Sequence, residues 1–312
     1  MIRRLLLGII VLLMVSLVVF AATQALPGDP ALAILGRSAT PQSLAAMRRH
    51  LHLDRPVIEQ YLSWISGLIH GNLGMSIAAQ EPVTTLLAPK LVNSSVLVAV
   101  AAVVSIPLSV AIGSWAAFRR EKIFDTLSSN LLLVLAALPE FVVAITLVLL
   151  LATTVFKLLP SISTIPPGSR PWDHPSFLVL PVITLVIAVA PYVARIMRAS
   201  MVEVLESDYI EMARLKGLPE RTVLVRHALP NALGPVFQVI ALNLAYLAGG
   251  IVVVEYVFNY GGIGSALQES VLNHDLPVVQ ALAMLIATLY VVLNLLADVA
   301  TIVVTPRLRT KL

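Results

Sequence analysis

Six long apolar runs recur along the chain, separated by stretches in which polar and charged residues gather. They extend over Leu5–Leu26, Leu91–Phe118, Leu127–Leu151, Phe177–Met197, Leu233–Val257 and Val278–Val304. A helix rises about 1.5 Å per residue, so roughly 20 apolar residues cross the hydrocarbon core of a bilayer. Each run meets that length, and the pattern predicts an all-α membrane protein with six transmembrane helices. Pro107, Pro139, Pro181, Pro191, Pro235, Gly249 and Gly250 fall inside the runs. Spanning helices accommodate such residues where neighbouring helices satisfy the loosened backbone. Arg3 and Arg4 precede the first run as they would in a secretory signal. That run exceeds the roughly 7–15 apolar residues of such a signal, so a retained first span is expected.

Three polar stretches interrupt the runs. The segment over residues 27–90 opens with the turn Pro27-Gly28-Asp29-Pro30. Thr40 is placed to cap a helix whose first residue is Pro41. A second helix begins at Pro56, with Ile58, Tyr61, Leu62, Ile65, Leu68 and Ile69 on one apolar face. This segment reads either as a cap that docks an external partner or gates a pore, or as a small structural subdomain on the membrane surface. The stretch 198–231 predicts a helix Ala199–Lys216, a break at Gly217-Leu218-Pro219, and a helix Glu220–Ala228 stopped at Pro230. Gly217 suits the left-handed position just past a helix end. The third stretch, Phe258–Pro277, joins a glycine turn to a short amphipathic helix and reads as a re-entrant or surface turn.

Charge then sets orientation. Lys and Arg gather on the cytoplasmic side of membrane proteins. With the N-terminus inside, that side carries Arg3, Arg4, Arg119, Arg120, Lys122, Arg195, Arg198, Arg214, Lys216, Arg221, Arg226, Arg307, Arg309 and Lys311. These are fourteen of the 21 basic residues. Both termini are expected in the cytoplasm, residues 27–90 outside and residues 198–231 inside. Composition agrees: 58% of residues are hydrophobic and 12% charged, against roughly 25% charged in soluble domains. The absence of cysteine excludes disulfides, thiolate metal sites and Cys nucleophiles. The net charge of +4 is not gathered into a stripe that would bind nucleic acid.

The inner stretch is the most specific feature. Glu211-Met212-Ala213-Arg214-Leu215-Lys216-Gly217, followed by His227-Ala228-Leu229-Pro230-Asn231, resembles the EAA loop of permease subunits in bacterial binding-protein-dependent ABC importers. LPGDP, HLHLDRPVIEQYLSWI, GNLGMSI, SDYIEMARLKGL, VVVEYVFNYGGIGSAL and NLLADVATIVVTPRLR resemble the dipeptide, oligopeptide and nickel branch in order and spacing. Two departures are Gly261-Gly262, where the turn often reads Pro-Gly, and Thr305, where an Asp commonly precedes Pro-Arg.

The resemblance implies a first span over 1–26, an extracytoplasmic segment over 27–90, and a five-helix permease core over 91–312 with its coupling loop at 198–231. It implies that Gly217 bends a transverse coupling helix seated in an ATPase subunit. Glu211, Arg214 and Lys216 would make polar contacts there or to neighbouring coil, Ala213 would permit close approach, and Leu229-Pro230 completes the pattern. The implied partners are a second homologous permease, two ATPase subunits or a fused pair, an extracytoplasmic substrate-binding protein and membrane lipid. ATP and Mg2+ would reside on the ATPase chains, and this chain would hold no cofactor or metal and catalyse no reaction. The implied site of action is the bacterial cytoplasmic membrane. The implied cargo is a di- or oligopeptide, with a nickel chelate or another small solute as the alternative.

Two acidic residues stand out within the runs. A carboxylate at the bilayer centre costs about 2.5–3.5 kcal/mol on insertion scales, so each needs a partner, a proton or water. Asp298 lies toward the inner end of the sixth run, where Arg195 can reach it, and reads as structural. Glu140 follows Pro139, which frees a carbonyl one turn earlier. It either faces the translocation path and meets a cationic part of the cargo, or hydrogen-bonds a neighbouring helix or subunit. An ion-coupled transporter using Glu140 or Asp298 would be expected to show inverted repeats, and hydropathy shows none. No HExxH, GxSxG or P-loop lysine motif is present. His50 and His52 lack a third ligand at convincing spacing.

Overall fold

The computed structural model describes residues 2–25, 30–35, 39–50, 54–166 and 168–304. The turn Pro27–Asp29, His52, Thr305 and the basic residues Arg307, Arg309 and Lys311 lie outside the described residues, as do the side chains of His50 and Asp298. Helix follows helix: α1 Ile2–Ala25, α2 Pro30–Leu35, α3 Pro41–His50, α4 Val57–Ile69, α5 Val83–Phe118, α6 Ile123–Ala137 and α7 Glu140–Leu147. A π-helical turn over Val148–Thr153 extends α7. There follow α8 Pro175–Leu205, α9 Asp208–Leu215, α10 Glu220–Thr222, α11 Leu229–Phe258, α12 Ile263–Leu272 and α13 Leu276–Val304. Among the described residues the β contribution is a single isolated bridge, Met75 to Pro82.

Four helices among the described residues are long and apolar enough to cross a bilayer: Arg4–Ala25, Val83–Phe118, Pro175–Leu205 and Leu276–Leu296. A bent pair, Ile123–Ala137 with Glu140–Thr153, raises the count to five. The run Leu233–Val257 lies inside the 30-residue helix α11, part of whose side chains fall outside the described set. The third expected span is therefore not one straight helix. It turns by 103° between α6 and α7. Leu138 is extended, as a residue before proline prefers, and Pro139 occupies the N-cap of α7.

The chain divides into two compact units, residues 1–94 with 261–291 and residues 95–260 with 292–312. In the first, Val83 and Leu87 of α5 form a small core with Ile263 and Ala266 of α12 and Val278, Ala281 and Leu282 of α13. Asp275, buried at the start of α13, accepts hydrogen bonds from the Ser76 hydroxyl at 2.5 Å and from the backbone N–H groups of Ile77 and Ala78 at 3.0 and 3.2 Å. These bonds pin the turn before α5. Thr40 caps α3 as expected, its hydroxyl accepting from the Ser43 N–H at 3.1 Å. Helix α4 runs along α1: Phe20 stacks on Trp64 and meets Tyr61 edge-on, and Ser16 and Tyr61 share a hydrogen bond of 2.9 Å. Its Ile58, Leu62 and Ile69 remain exposed.

The second unit is built on α8 and α11. Leu185, Val189, Val193 and Met197 of α8 are buried in one core with Val236, Ile240, Leu247, Ile251 and Val254 of α11. The Ser200 hydroxyl ties the two helices by donating to the Ala232 carbonyl at 2.8 Å. Helices α6 and α7 pack against α8, and α7 also against α11.

Candidate functional site

Two features of the second unit carry chemistry: the segment joining α8 to α11, and a cleft along those helices. The segment differs from the expected Ala199–Lys216 helix, because α8 ends at Leu205 and α9 starts afresh at Asp208. Ser207 is extended and bonds back to the Val204 carbonyl, which offers the backbone an alternative to continuing the helix. Helix α9 closes as Gly217 predicts, with φ of +77°. The Gly217 N–H donates to the Arg214 carbonyl at 2.9 Å and the Leu218 N–H to the Ala213 carbonyl at 3.4 Å, the paired bonds of a glycine-terminated helix. Pro230 does not stop the following helix. The π-helical turn Val223–Ala228 leads straight into α11, with the Leu229 N–H reaching back to Leu224, and Pro230 stands in the first turn of α11. Proline is tolerated there, where its missing N–H is least needed.

Ile210 and Ala213 are the buried face of α9. The close approach that Ala213 permits is therefore to this chain's own core. Arg214 reaches across the Gly217 turn to Glu220, with N–O distances of 2.8 and 3.3 Å. Glu211 and Lys216 are exposed. The outer face also carries apolar residues that the motif did not single out: Tyr209, Met212 and Leu215, the last 75% exposed. Their spacing of three is readable in the sequence.

The cleft has a volume of about 930 Å³ and is lined by Tyr192 and Arg195 of α8 and by Leu242, Asn243 and Tyr246 of α11, among others. Glu140, at the start of α7, accepts a hydrogen bond from the Tyr246 hydroxyl at 2.7 Å. A carbonyl freed at the Pro139 break belongs to Ala136, and the Tyr192 hydroxyl donates to it at 3.3 Å. Two tyrosines thus hold the break on both sides. At the end nearest α9, Arg198 donates to both carboxylate oxygens of Asp125 at 2.5 and 2.7 Å. Asp125, only 4% exposed, also accepts the Glu121 N–H at 3.0 Å. The Arg198 guanidinium thus meets the Asp125 carboxylate as a two-pronged ion pair. Arg120 pairs with Glu206 beside it. No grouping of His, Cys, Asp and Glu suited to a metal occurs among the described residues.

Residues 109–310 match the family described as binding-protein-dependent transport system inner membrane component. Residues 1–106 match the corresponding N-terminal membrane component. The chain belongs to this family. It is 36% identical to a probable peptide ABC transporter permease protein of Sinorhizobium fredii, over 98% of both chains. It is 35% identical to the glutathione transport system permease protein of Escherichia coli, over 99% of this chain and 98% of that one. A crystal structure of an amino acid ABC transporter with histidines shares the fold, with a TM-score of 0.53 at 16% identity, covering 70% of this chain and 94% of the other.

This bacterial inner-membrane permease component carries, besides Glu140 and Asp298, a third acidic residue within its apolar runs. Glu255, inside Leu233–Val257, is fully buried near the C-terminal end of α11. Burial, and next to it the Glu255 charge, push the Tyr260 hydroxyl above its ordinary range. The valines flanking Glu255 hide it in any averaged hydropathy. The pairing of Asp125 with Arg198 spans 73 positions and leaves no local trace.

Proposed function

We propose that the chain is one half of the translocation pathway of an ATP-driven peptide importer, with six spans and both termini in the cytoplasm. Helix α9 seats in an ATPase subunit. The observation that carries this reading is the outer face of α9, an eight-residue helix closed by Gly217. It presents Met212 and Leu215 beside Glu211 and Lys216. Exposed apolar residues ringed by charge are what a protein partner covers. The fixed hinge at Gly217 lets α9 move with that partner, and the α8–α11 pair carries the movement to the cleft. A second permease completes the pathway, two ATPase subunits or a fused pair bind and hydrolyse ATP with Mg2+, and an extracytoplasmic binding protein delivers cargo. The names of the relatives from Sinorhizobium and Escherichia support a peptide or peptide-like cargo.

Recovery of the tagged chain from its native host in mild detergent is expected to bring down an ATPase, a second permease and a binding protein. Leu215→Glu should lose the ATPase while keeping the second permease, read by mass spectrometry of the complex. A chain that transports alone in liposomes without ATP would sink the proposal. Glu140→Gln is expected to lower peptide uptake without lowering recovery of the complex; unchanged uptake would remove Glu140 from the pathway.

A further inference from the structure

We infer that Arg195 is the centre of a carboxylate-binding site in the cleft, with Tyr192 and Asn243 beside it, and that it takes the free carboxylate of the transported solute. The inference rests on the permease reading above and adds to it the chemistry by which this chain holds its cargo.

The two arginines of the cleft differ in what they already do. Arg198 spends its guanidinium on the bidentate pair with Asp125. Arg195, one turn away on α8, lines the same cleft and is exposed to it, and no ion pair to it is found among the described residues. Ionisable side chains within membrane segments are costly and are kept where they serve a pathway or a partner. Leu133, Ile196, Val239 and Leu242 share the lining, and such low-dielectric walls strengthen the pull of a fixed charge on an incoming anion. A guanidinium presents paired N–H donors that match a carboxylate.

The polar groups also have an order. Tyr192 and Tyr246 mark the level of the Pro139 break, where Glu140 sits. Arg195 lies three residues beyond Tyr192 toward α9, and Asn243 three residues from Tyr246 in the same direction, because α8 and α11 run antiparallel around α9. Three residues correspond to about 4.5 Å of rise. Glu140, held by the cleft residue Tyr246, therefore comes first, and the Arg195 guanidinium follows about one turn further toward α9. The two ends of a short zwitterion, an ammonium and a carboxylate, fit that order. A volume of about 930 Å³ is at the upper end of the roughly 300–1,000 Å³ that small-ligand sites occupy. Asn243 donates to the Val239 carbonyl at 2.8 Å, which fixes its amide against α11.

The test uses the complete complex in detergent, without the binding protein, so that the choice made by that subunit does not intervene. Thermal unfolding is followed with dialanine, with dialaninamide, which lacks the carboxylate, and with acetate. Dialanine is expected to raise the wild-type melting temperature and dialaninamide to do so only at roughly tenfold higher concentration, the loss expected for one charged hydrogen-bonded pair. Arg195→Gln should erase the difference, and Arg195→Lys should restore part of it. Equal response to dialanine and dialaninamide in the wild type, or an undiminished preference in Arg195→Gln, overturns the site. So does an Arg195→Gln complex that loses subunits while Arg195→Lys keeps them without regaining the preference, since the role is then structural. Stabilisation by acetate alone, equal to that by dialanine, assigns the site to any small anion and overturns the cargo role. A wild-type complex that takes up no peptide in liposomes refutes the proposed cargo class; one that takes up dialanine while Arg195→Gln keeps its preference refutes only the Arg195 site.

Discussion

Gly113→Val is expected to prevent accumulation of a folded chain in the membrane, and Gly113→Ala to weaken it measurably. Helix α5 passes α8 at this residue with no room for a side chain. A Cβ on Gly113 would lie 2.4 Å from the Ala194 carbonyl oxygen, 2.7 Å from Met197 Cβ and 3.0 Å from the Arg198 backbone nitrogen. Two of these neighbours are backbone atoms that move only with the helix. Inserting bulk into a packed interior costs about 1–3 kcal/mol where side chains can shift, and here they are not what must shift. The contact continues one turn away, where the buried Ser109 hydroxyl donates to the Ala190 carbonyl at 3.2 Å; parting the helices would break that bond as well. Ser105, Ser109, Gly113 and Ala117 repeat at intervals of four, the small-residue spacing by which membrane helices bring their backbones together. Gly234→Ala in α11 is the control. Nothing lies within 4 Å of its added Cβ, and alanine favours a helix over glycine by about 1 kcal/mol. Size-exclusion profiles and melting curves in detergent decide the matter: wild-type behaviour of Gly113→Val would mean that α5 and α8 do not meet closely in the membrane.

That small-residue stripe was open to reading in the sequence, yet the apolar runs drew attention to length rather than to which residues were small. The same bias explains the third span. Leucines and valines on both sides of Pro139 average to one long apolar run whether the backbone is straight or turned by 103°, so hydropathy is blind to the bend. Pro139 marks the place of the break, and the partners there come from distant helices: Tyr192 satisfies the Ala136 carbonyl and Tyr246 the Glu140 carboxylate. Local chemistry fared better. Thr40 before Pro41, and Gly217 before Pro219, obey rules that involve a few neighbouring residues, and both took the expected form. Ser207 follows a rule of the same kind but sits in a sequence of good helix formers, which masked the break between α8 and α9. For the site, the charged residues of α9 were visible from the motif. The cleft was not, because Tyr192, Arg195, Asn243 and Tyr246 come together only when α8 packs on α11.

Asp125→Ala is expected to destabilise the complex by about 3 kcal/mol, the lower end for removing one partner of a buried ion pair. The lower end applies because the Arg198 side chain is 32% exposed and water can reach part of it. The loss has two sources: the guanidinium left beside an apolar wall, and the Glu121 N–H, now without its acceptor. Replacing both charges, as Asp125→Leu with Arg198→Met, should recover part of the stability, since an apolar pair carries no stranded charge. A double-mutant cycle on melting free energies reads the coupling directly. Because Arg198 stands on α8 shortly before α9, the double replacement also asks what the ion pair does for transport. If Asp125 and Arg198 only hold α6 to α8, the apolar pair should transport at the wild-type ratio of peptide to ATP. If the charges themselves steer cargo out of the cleft, the ratio should fall while the melting temperature recovers.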